Sequence, residues 1–372
     1  MPGQSSGLAY RLGFWQKLHI DPLLLFLLLL QTAFGVLVLF SASGQSNAIL
    51  VKQGQFLLVA YVGMLVIAQF DVERIKRLAL LAYLVGVVLL IGVELFGVGA
   101  KGAQRWLSLG GFRFQPSEIM KLVVPMAAAW YLSSRALPPK MRHIIICVAV
   151  ISVPTVLIAK QPDLGTSILI AASGLFVLFL AGIRWRYVFS SVAVLLLASY
   201  PLWRFALRDY QRKRILTLLD PESDKLGAGW NIIQSKTAIG SGGWSGKGWL
   251  KGTQSQLDFL PESHTDFIIA VLAEEWGLQG VLMLLLIYLA IIVRGLWIAV
   301  NAQHCFGRLL AGSITLTFFV YVFVNLGMVS GLLPVVGVPL PLVSQGGTSL
   351  VTLLAGFGLL MAISTEKRVM VQ

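Results

Sequence analysis

The chain of 372 residues is 57% hydrophobic and only 12% charged, with a mean hydropathy of +0.83. Soluble domains carry roughly a quarter of their residues as charged side chains, so this composition excludes a soluble globular protein and indicates a polytopic membrane protein. The net charge of +13 does not point to nucleic acid, because basic residues in membrane proteins first mark cytoplasmic loops. With only Cys147 and Cys305 present, neither a disulfide framework nor a cysteine metal site is predicted.

Apolar runs of about 20 residues are long enough to cross the hydrocarbon core. They predict an all-α polytopic membrane protein with about ten transmembrane helices in one integral membrane domain, residues 1–372. The spans are predicted near 22–42, 54–70, 78–96, 117–133, 143–159, 165–182, 187–207, 277–298, 309–331 and 341–364. The first run is interpreted as a retained span, because no small-residue cleavage site accompanies it.

The distribution of Lys and Arg predicts that both termini face the cytoplasm. In this orientation the cytoplasmic segments hold fourteen basic residues and the short outer loops hold six. The outer loop after span three is more basic than the rule expects, with Lys101, Arg105 and Arg113. These three could bind a phosphate or contact lipid head groups.

A long segment, residues 208–265, separates spans seven and eight and is predicted to lie on the extracytoplasmic side. Loops of that size are usually functional or disordered. Between Trp230 and Ile239, apolar and polar residues interleave in a pattern typical of an amphipathic helix at the membrane interface. The loop is therefore predicted to be partly helical.

Ionisable residues gather at the outer ends of the predicted spans. Glu118 and Lys121 share one face at the start of span four, where a structural ion pair is an equally good interpretation. Asp163 precedes span six, where a helix cap is as good an explanation as a functional role.

The stretch GTQSQLDFLPESHTDFIIAVLAEEWG, residues 252–277, carries five carboxylates beside an apolar run. Charges at membrane depth are rare and favour a functional interpretation. Asp266 stands at the mouth of the run, whereas Glu274 lies about 12 Å further along a regular helix and Glu275 points nearly opposite to Asp266. Asp266 is therefore the candidate reactive carboxylate, and Glu274 and Glu275 are expected to pair with bases or to cap interior polar groups.

The last outer loop, residues 331–349, reads GLLPVVGVPLPLVSQGGTS, and its prolines forbid a continuous helix. Irregular backbone at membrane depth is tolerated only where it is buried in protein or lines a wet cavity. Together with the ionisable residues, this loop predicts a polar cavity open to the outer face.

These segments resemble the shape, elongation, division and sporulation family, most closely its rod-shape members. The resemblance rests on residues 102–121 (GAQRWLSLGGFRFQPSEIMK), 160–167 (KQPDLGTS), 209–277 and 331–349, and it covers nearly the whole chain. One departure is Gln345, which stands where the family's PLVSYGG segment has Tyr.

The resemblance implies a peptidoglycan glycosyltransferase that polymerises lipid II, the undecaprenyl-pyrophosphate-linked disaccharide-pentapeptide, during cell elongation. The reaction would take place on the outer face of the cytoplasmic membrane. It would invert the configuration of the donor's anomeric carbon. Asp266 matches the family's essential Asp, and Glu118, Lys121 and Asp163 match residues of its cavity. Arg105 is a further candidate for binding the pyrophosphate.

The resemblance also implies partners and a cofactor. A class B penicillin-binding protein would cross-link the product, together with other membrane proteins of the elongation complex, and no nucleic-acid partner is expected. A divalent cation, Mg²⁺ or Mn²⁺, is suggested by the family, although no segment of the chain has metal-ligand spacing.

Two other functions are compatible with parts of the sequence. A lipid II flippase would also use acids and broken helices within the membrane, but here the polar residues gather on one side and the two halves show no repeat. A non-catalytic scaffold of the elongation complex would leave the acids of the cavity without a reason.

Overall fold

The computed structural model of the protein describes residues 18–100, 103–109, 112–207, 209–224, 227–253 and 263–366. In chain order its helices are α1 (Pro22–Ala42), α2 (Asn47–Ala68), α3 (Val72–Phe96), α4 (Pro116–Ser133), α5 (Met141–Lys160), α6 (Leu164–Leu180), α7 (Trp185–Pro201), α8 (Asp209–Leu219), α9 (Ala228–Gly242), α10 (Ile268–Asn301), α11 (Cys305–Val329) and α12 (Thr348–Ser364). A π-helical turn, Leu202–Ala206, follows α7, and a 3₁₀ turn, Pro221–Asp224, follows α8.

The protein is a multi-pass membrane protein built from helices, as its composition predicts. Among the described residues, seven helices are long and apolar enough to cross a membrane, namely α1, α2, α3, α5, α7 with its π-helical turn, α10 and α11. The apolar helices α6 and α12 are shorter, and α4 has 18 residues with two charges on its first turns. The number of membrane crossings stays a prediction.

Helix α4 lies at the centre of the bundle, packed against α3, α5, α6, α11 and α12. Most of its residues are buried, including Glu118 and Lys121. Its start is fixed by Pro116 at the first helical position, where the missing N–H has no helical partner to lose. The central position of α4 surrounds its charges with protein, so they do not face lipid.

Two elements were not predicted from the sequence. The basic loop after α3 forms a small antiparallel sheet of three strands, β1 (Val98–Ala100), β2 (Ala103–Leu109) and β3 (Phe112–Phe114), in the order β1-β2-β3. The second is the first part of α10, which begins at Ile268, ahead of the span predicted near 277–298. Residues 268–275 are all buried inside the protein. The carboxylates of Glu274 and Glu275 therefore face protein and not lipid.

Helix α10 is broken at Gly277, whose φ of 64° is outside the helical range. The break frees carbonyl groups before it and N–H groups after it, as at any helix end. Four backbone hydrogen bonds of 2.9 to 3.2 Å join these groups to residues 243–248, the glycine-rich segment after α9. The broken helix therefore holds the long loop in a fixed position beside the bundle.

The two carboxylates next to the break have the partners expected from the sequence. Oε1 of Glu274 accepts hydrogen bonds from the Lys247 ammonium at 2.7 Å and from the backbone N–H of Thr253 at 2.8 Å. Oε1 of Glu275 accepts a short hydrogen bond from the Ser41 hydroxyl at the end of α1. Both acids thus tie the loop and α1 to α10.

We expect Gly246→Ala to destabilise the protein. Gly246 has a φ of 76°, and a β-carbon there would lie 2.1 Å from the carbonyl oxygen of Glu275. A side chain in such a conformation lowers the free energy of unfolding by more than about 1 kcal/mol, which corresponds to at least about 2 °C in apparent Tm. Thermal unfolding of the purified protein in detergent micelles measures this.

The matched control is Gly240→Ala on α9, because no atom lies within 4 Å of a β-carbon at Gly240. An equal loss of apparent Tm in both variants would contradict the close approach of the two backbones.

Candidate functional site

A cavity of about 370 Å³ lies at the end of the bundle where α4, α6 and α12 begin. All of the predicted substrate-binding residues, Arg105, Glu118, Lys121 and Asp163, line it. The lining also includes Tyr321 of α11 and residues 337–339 and 345–349. Side chains separated by more than two hundred positions in the sequence are thus brought to one site.

Glu118 and Lys121 form a buried ion pair on the cavity wall, with 2.6 Å between Oε1 and Nζ. The Lys121 ammonium also lies 5.1 Å from the centre of the Tyr321 ring, within the range of a cation–π contact. The second carboxylate oxygen of Glu118 is buried and has no hydrogen-bond partner among the described residues. Buried polar atoms are rarely left unpaired, so this oxygen fits a site in which a ligand supplies the partner.

Asp163 serves both as a helix cap and as part of the cavity wall. Its Oδ1 accepts a hydrogen bond from the backbone N–H of Thr166 at 3.3 Å, which caps α6. Its Oδ2 accepts one from Gln115 Nε2 at 3.0 Å and lies 3.8 Å from the Arg105 guanidinium. Arg105, on β2, also donates to the carbonyl oxygen of Pro162. These contacts hold Arg105 at the cavity and do not involve the Glu118–Lys121 pair.

Of the basic loop residues that accompany Arg105, Lys101 lies outside the described residues, as do residues 254–262 of the acidic stretch. Arg113 belongs to β3.

Asp266 lies at the margin of the cavity, in the segment 263–266 that leads into α10. Its carboxylate adjoins Gly337 of the cavity wall, since a β-carbon at Gly337 would lie 3.5 Å from Asp266 Oδ2. Each residue of the segment is held by a hydrogen bond: Ser263 Oγ to Ala42 O, Gln345 N to His264 O, Ser344 Oγ to Thr265 O, and Asn325 Nδ2 to Asp266 O. The backbone of the predicted catalytic residue is thereby fixed by contacts with α1, with α11 and with the loop before α12.

Three polar residues at this site were not assigned to it from the sequence. Tyr321 lines the cavity, and Asn325 donates to the carbonyl oxygens of Asp266 at 2.9 Å and Val338 at 2.7 Å. Gln53 of α2 holds the loop before α12 through Ser344 O and Gly346 N. Both partners of Asn325 are carbonyl oxygens of non-helical backbone. The only sequence signal was the four-residue spacing of Tyr321 and Asn325 within an apolar helix.

Beyond Glu118, Lys121 and Tyr321 the cavity continues into a smaller, mostly apolar pocket of about 60 Å³ between α4, α11 and α12. Its walls include Phe318 and Phe357. The ion pair thus stands where a polar chamber meets an apolar one.

The described residues contain no group of three or more His, Cys, Asp and Glu side chains that could hold a metal ion. A resident metal held by protein side chains alone therefore does not fit the part of the chain that the structure describes.

Fold and site together define a polytopic membrane protein with a polar cavity of acids and bases at one end of its bundle. The sequence profile of the family described as "Cell cycle protein", which covers FtsW, RodA and SpoVE, matches residues 21–369. The chain belongs to this family, as its motifs indicated.

Curated relatives align over almost the whole chain. "Peptidoglycan glycosyltransferase MrdB" of Escherichia coli (strain K12) is 54% identical over 359 residues, which is 96% of this chain and 96% of that protein. "Probable peptidoglycan glycosyltransferase FtsW" of Trichlorobacter lovleyi is 36% identical, over 92% of this chain and 93% of that one.

Solved structures share the fold. A chain from a study of "structural coordination of polymerization and crosslinking by a peptidoglycan synthase complex" has a TM-score of 0.82 at 30% identity, covering 92% of this chain and 97% of that chain. The Thermus thermophilus rod shape determining protein RodA has a TM-score of 0.71 at 27% identity, covering 94% of this chain and 97% of that chain.

Proposed function

We propose that this chain polymerises lipid II into glycan strands during cell elongation, and that the cavity around Glu118, Lys121 and Asp266 is its active site. The chain is a peptidoglycan glycosyltransferase by its 54% identity, over 96% of its length, to a relative of that name. The observation that supports this cavity as the site is the convergence of Arg105, Glu118, Lys121 and Asp163 on one wall, with Asp266 at its margin.

The reaction joins an acceptor sugar hydroxyl to the anomeric carbon of a donor and breaks the bond from that carbon to the lipid pyrophosphate. The hydroxyl proton passes to a carboxylate, and the electron pair leaves with the pyrophosphate. A positioned base contributes roughly 10² to 10⁴ in rate, and we assign that role to Asp266. One activating carboxylate is enough for an inverting transfer with so good a leaving group.

The departing pyrophosphate needs cations, because its negative charge develops in the transition state. Lys121 is buried on the cavity wall and would stabilise this charge, with Arg105 as a second cation and Asp163 holding Arg105 in place. Glu118 orients Lys121 through their 2.6 Å contact.

A divalent cation fits the site only together with the substrate. Mg²⁺ commonly binds through one or two carboxylates plus substrate phosphates, and the unpaired oxygen of Glu118 is one such ligand. When bound, the ion would add positive charge next to the pyrophosphate. The described residues alone offer no complete set of ligands.

Orientation and partners follow the same proposal. Both termini would lie in the cytoplasm and the cavity would open outside the cytoplasmic membrane, where lipid II is polymerised. A class B penicillin-binding protein would cross-link the product, as one similar structure comes from a complex that couples polymerization to crosslinking. Other membrane proteins of the elongation complex would join it, and no nucleic acid is involved.

We expect Asp266→Asn to abolish polymer formation, by roughly 10²- to 10⁴-fold, without changing the apparent Tm. Purified protein, supplied with its penicillin-binding partner if required, is incubated with lipid II and the polymer is measured. Asp220→Asn is the matched control, because Asp220 is an exposed residue of the long segment 208–265 and does not line the cavity. Undiminished polymerisation by Asp266→Asn would exclude Asp266 from catalysis. Translocation of lipid II by the wild-type protein without any polymer would favour a flippase.

Removal of Lys121 should weaken use of the donor. Lys121→Ala alone leaves Glu118 buried without its partner, which destabilises a protein by about 3–5 kcal/mol. The double variant Glu118→Gln with Lys121→Met removes both charges and keeps similar volumes. We expect it to fold and to show a donor KM raised at least tenfold, measured from initial rates over a range of lipid II concentrations. Normal donor kinetics in this variant would exclude Lys121 from the site.

A chelator should stop polymerisation, and Mg²⁺ or Mn²⁺ should restore it. We expect the double variant Glu118→Gln with Lys121→Met, which leaves no unpaired buried charge, to require a higher Mg²⁺ concentration for half-maximal polymerisation than wild type, because one carboxylate ligand is lost. Full activity of wild type in excess chelator would disprove the role of a cation, and an unchanged Mg²⁺ requirement in the double variant would exclude Glu118 as its ligand.

A further inference from the structure

Two polar side chains of α11, Tyr321 and Asn325, are four residues apart and therefore lie on the same face of the helix. The ring of Tyr321 faces the Lys121 ammonium at 5.1 Å. The amide of Asn325 donates to the carbonyl oxygen of Asp266 at 2.9 Å. One face of one helix thus contacts both residues to which the proposed reaction assigns its main roles.

We infer that Tyr321 is a positioning residue that holds the Lys121 ammonium for the donor pyrophosphate, while Asn325, one turn further along α11, fixes the position of Asp266. The inference rests on the proposed function and adds to it a specific role for α11.

Tyr321 restricts Lys121 in a way that Glu118 alone does not. A lysine ammonium has three N–H donors and rotates freely about its last bond. Glu118 Oε1 takes one donor at 2.6 Å, and the Tyr321 side chain attracts the same cation from a second direction, through its ring and its hydroxyl. Both side chains are buried, so water competes little with either contact. With these two contacts fixed, a remaining N–H group of the Lys121 ammonium is oriented to hydrogen-bond a phosphate oxygen of the substrate.

Asn325 acts on Asp266 through the backbone. It is fully buried, and its Nδ2 uses both hydrogens, one on the carbonyl oxygen of Asp266 and one on that of Val338 at 2.7 Å. Val338 adjoins Gly337, the residue against which the Asp266 carboxylate lies. Asn325 therefore links the two backbone segments that meet at the candidate base.

The Tyr321 part is tested with Tyr321→Leu and Tyr321→Phe in the full-length protein in detergent micelles. Binding of undecaprenyl pyrophosphate is measured without turnover, and donor KM and kcat are measured in the polymerisation assay. We expect Tyr321→Leu to weaken binding about tenfold, since the ring face is lost, and to lower kcat/KM for the donor by at least as much, since Lys121 also stabilises charge that develops in the transition state. Tyr321→Phe keeps the ring and should restore binding to within about threefold.

Two controls separate positioning from packing. Phe323→Leu removes an exposed aromatic ring from the same helix and should leave binding unchanged. In the Glu118→Gln, Lys121→Met background, Tyr321→Leu should have no further effect on binding, because its target is absent.

The Asn325 part predicts a different signature, in which the rate falls and binding is retained. Asn325→Ala should lower kcat at least tenfold and leave undecaprenyl pyrophosphate binding unchanged, because it displaces Asp266 and leaves Lys121 in place. Asn325→Ser retains one donor and supplies a folded variant if the Ala variant is unstable, with the same direction expected. Loss of binding in either Asn325 variant at unchanged kcat would overturn this part.

Unchanged binding in Tyr321→Leu, or a further loss in the charge-free background, would each overturn the role of Tyr321. Equal losses in Tyr321→Phe and Tyr321→Leu would overturn the role of its ring. These outcomes are distinct from failure of the proposed function, which would appear as polymerisation by Asp266→Asn, since the binding measurement involves no turnover.

Discussion

The structure depends on a buried ion pair in the middle of a membrane protein. Glu118 and Lys121 stand on α4 with 2.6 Å between their charged atoms and little exposure to solvent. Charged groups are tolerated at membrane depth only when they are paired or face a polar cavity within the protein. Helix α4 is accordingly surrounded by five other helices. The arrangement of the bundle around α4 follows from the need to keep these two charges away from lipid.

The remainder of the site is built from irregular backbone. The segment 263–266 and the loop 331–347 have no helical hydrogen bonds to complete, and backbone polar groups inside a membrane protein must still be satisfied. Side chains of flanking helices supply the partners: Asn325 from α11 and Gln53 from α2. The same bonds that satisfy these carbonyl and N–H groups determine where Asp266 and Gly337 lie. The need to satisfy the backbone groups of these loops therefore also determines the geometry of the site.

Much of this organisation could be predicted from the sequence. Hydropathy located the helices, and the rarity of charge in such a chain singled out Glu118, Lys121, Asp163 and Asp266, which the structure gathers at one end of the bundle. The loop partners of the carboxylates on the first turns of α10 could not be predicted from the sequence. The partner of Glu274, Lys247, is 27 residues away, and no local rule connects the two. Tyr321 was missed for a related reason: an aromatic residue in an apolar helix has the same pattern whether it packs or faces a cation.

The hydrogen bonds that hold residues 263–266 have a consequence for turnover. Those to His264, Thr265 and Asp266 end on backbone carbonyl oxygens. A residue that takes up a proton in each cycle and releases it before the next alternates between an anion and a neutral acid. The hydrogen bonds to these carbonyl oxygens do not use the side-chain carboxylate. In the proposed reaction they would therefore hold the backbone of Asp266 through both protonation states, which suits a step that is repeated many times on one growing strand.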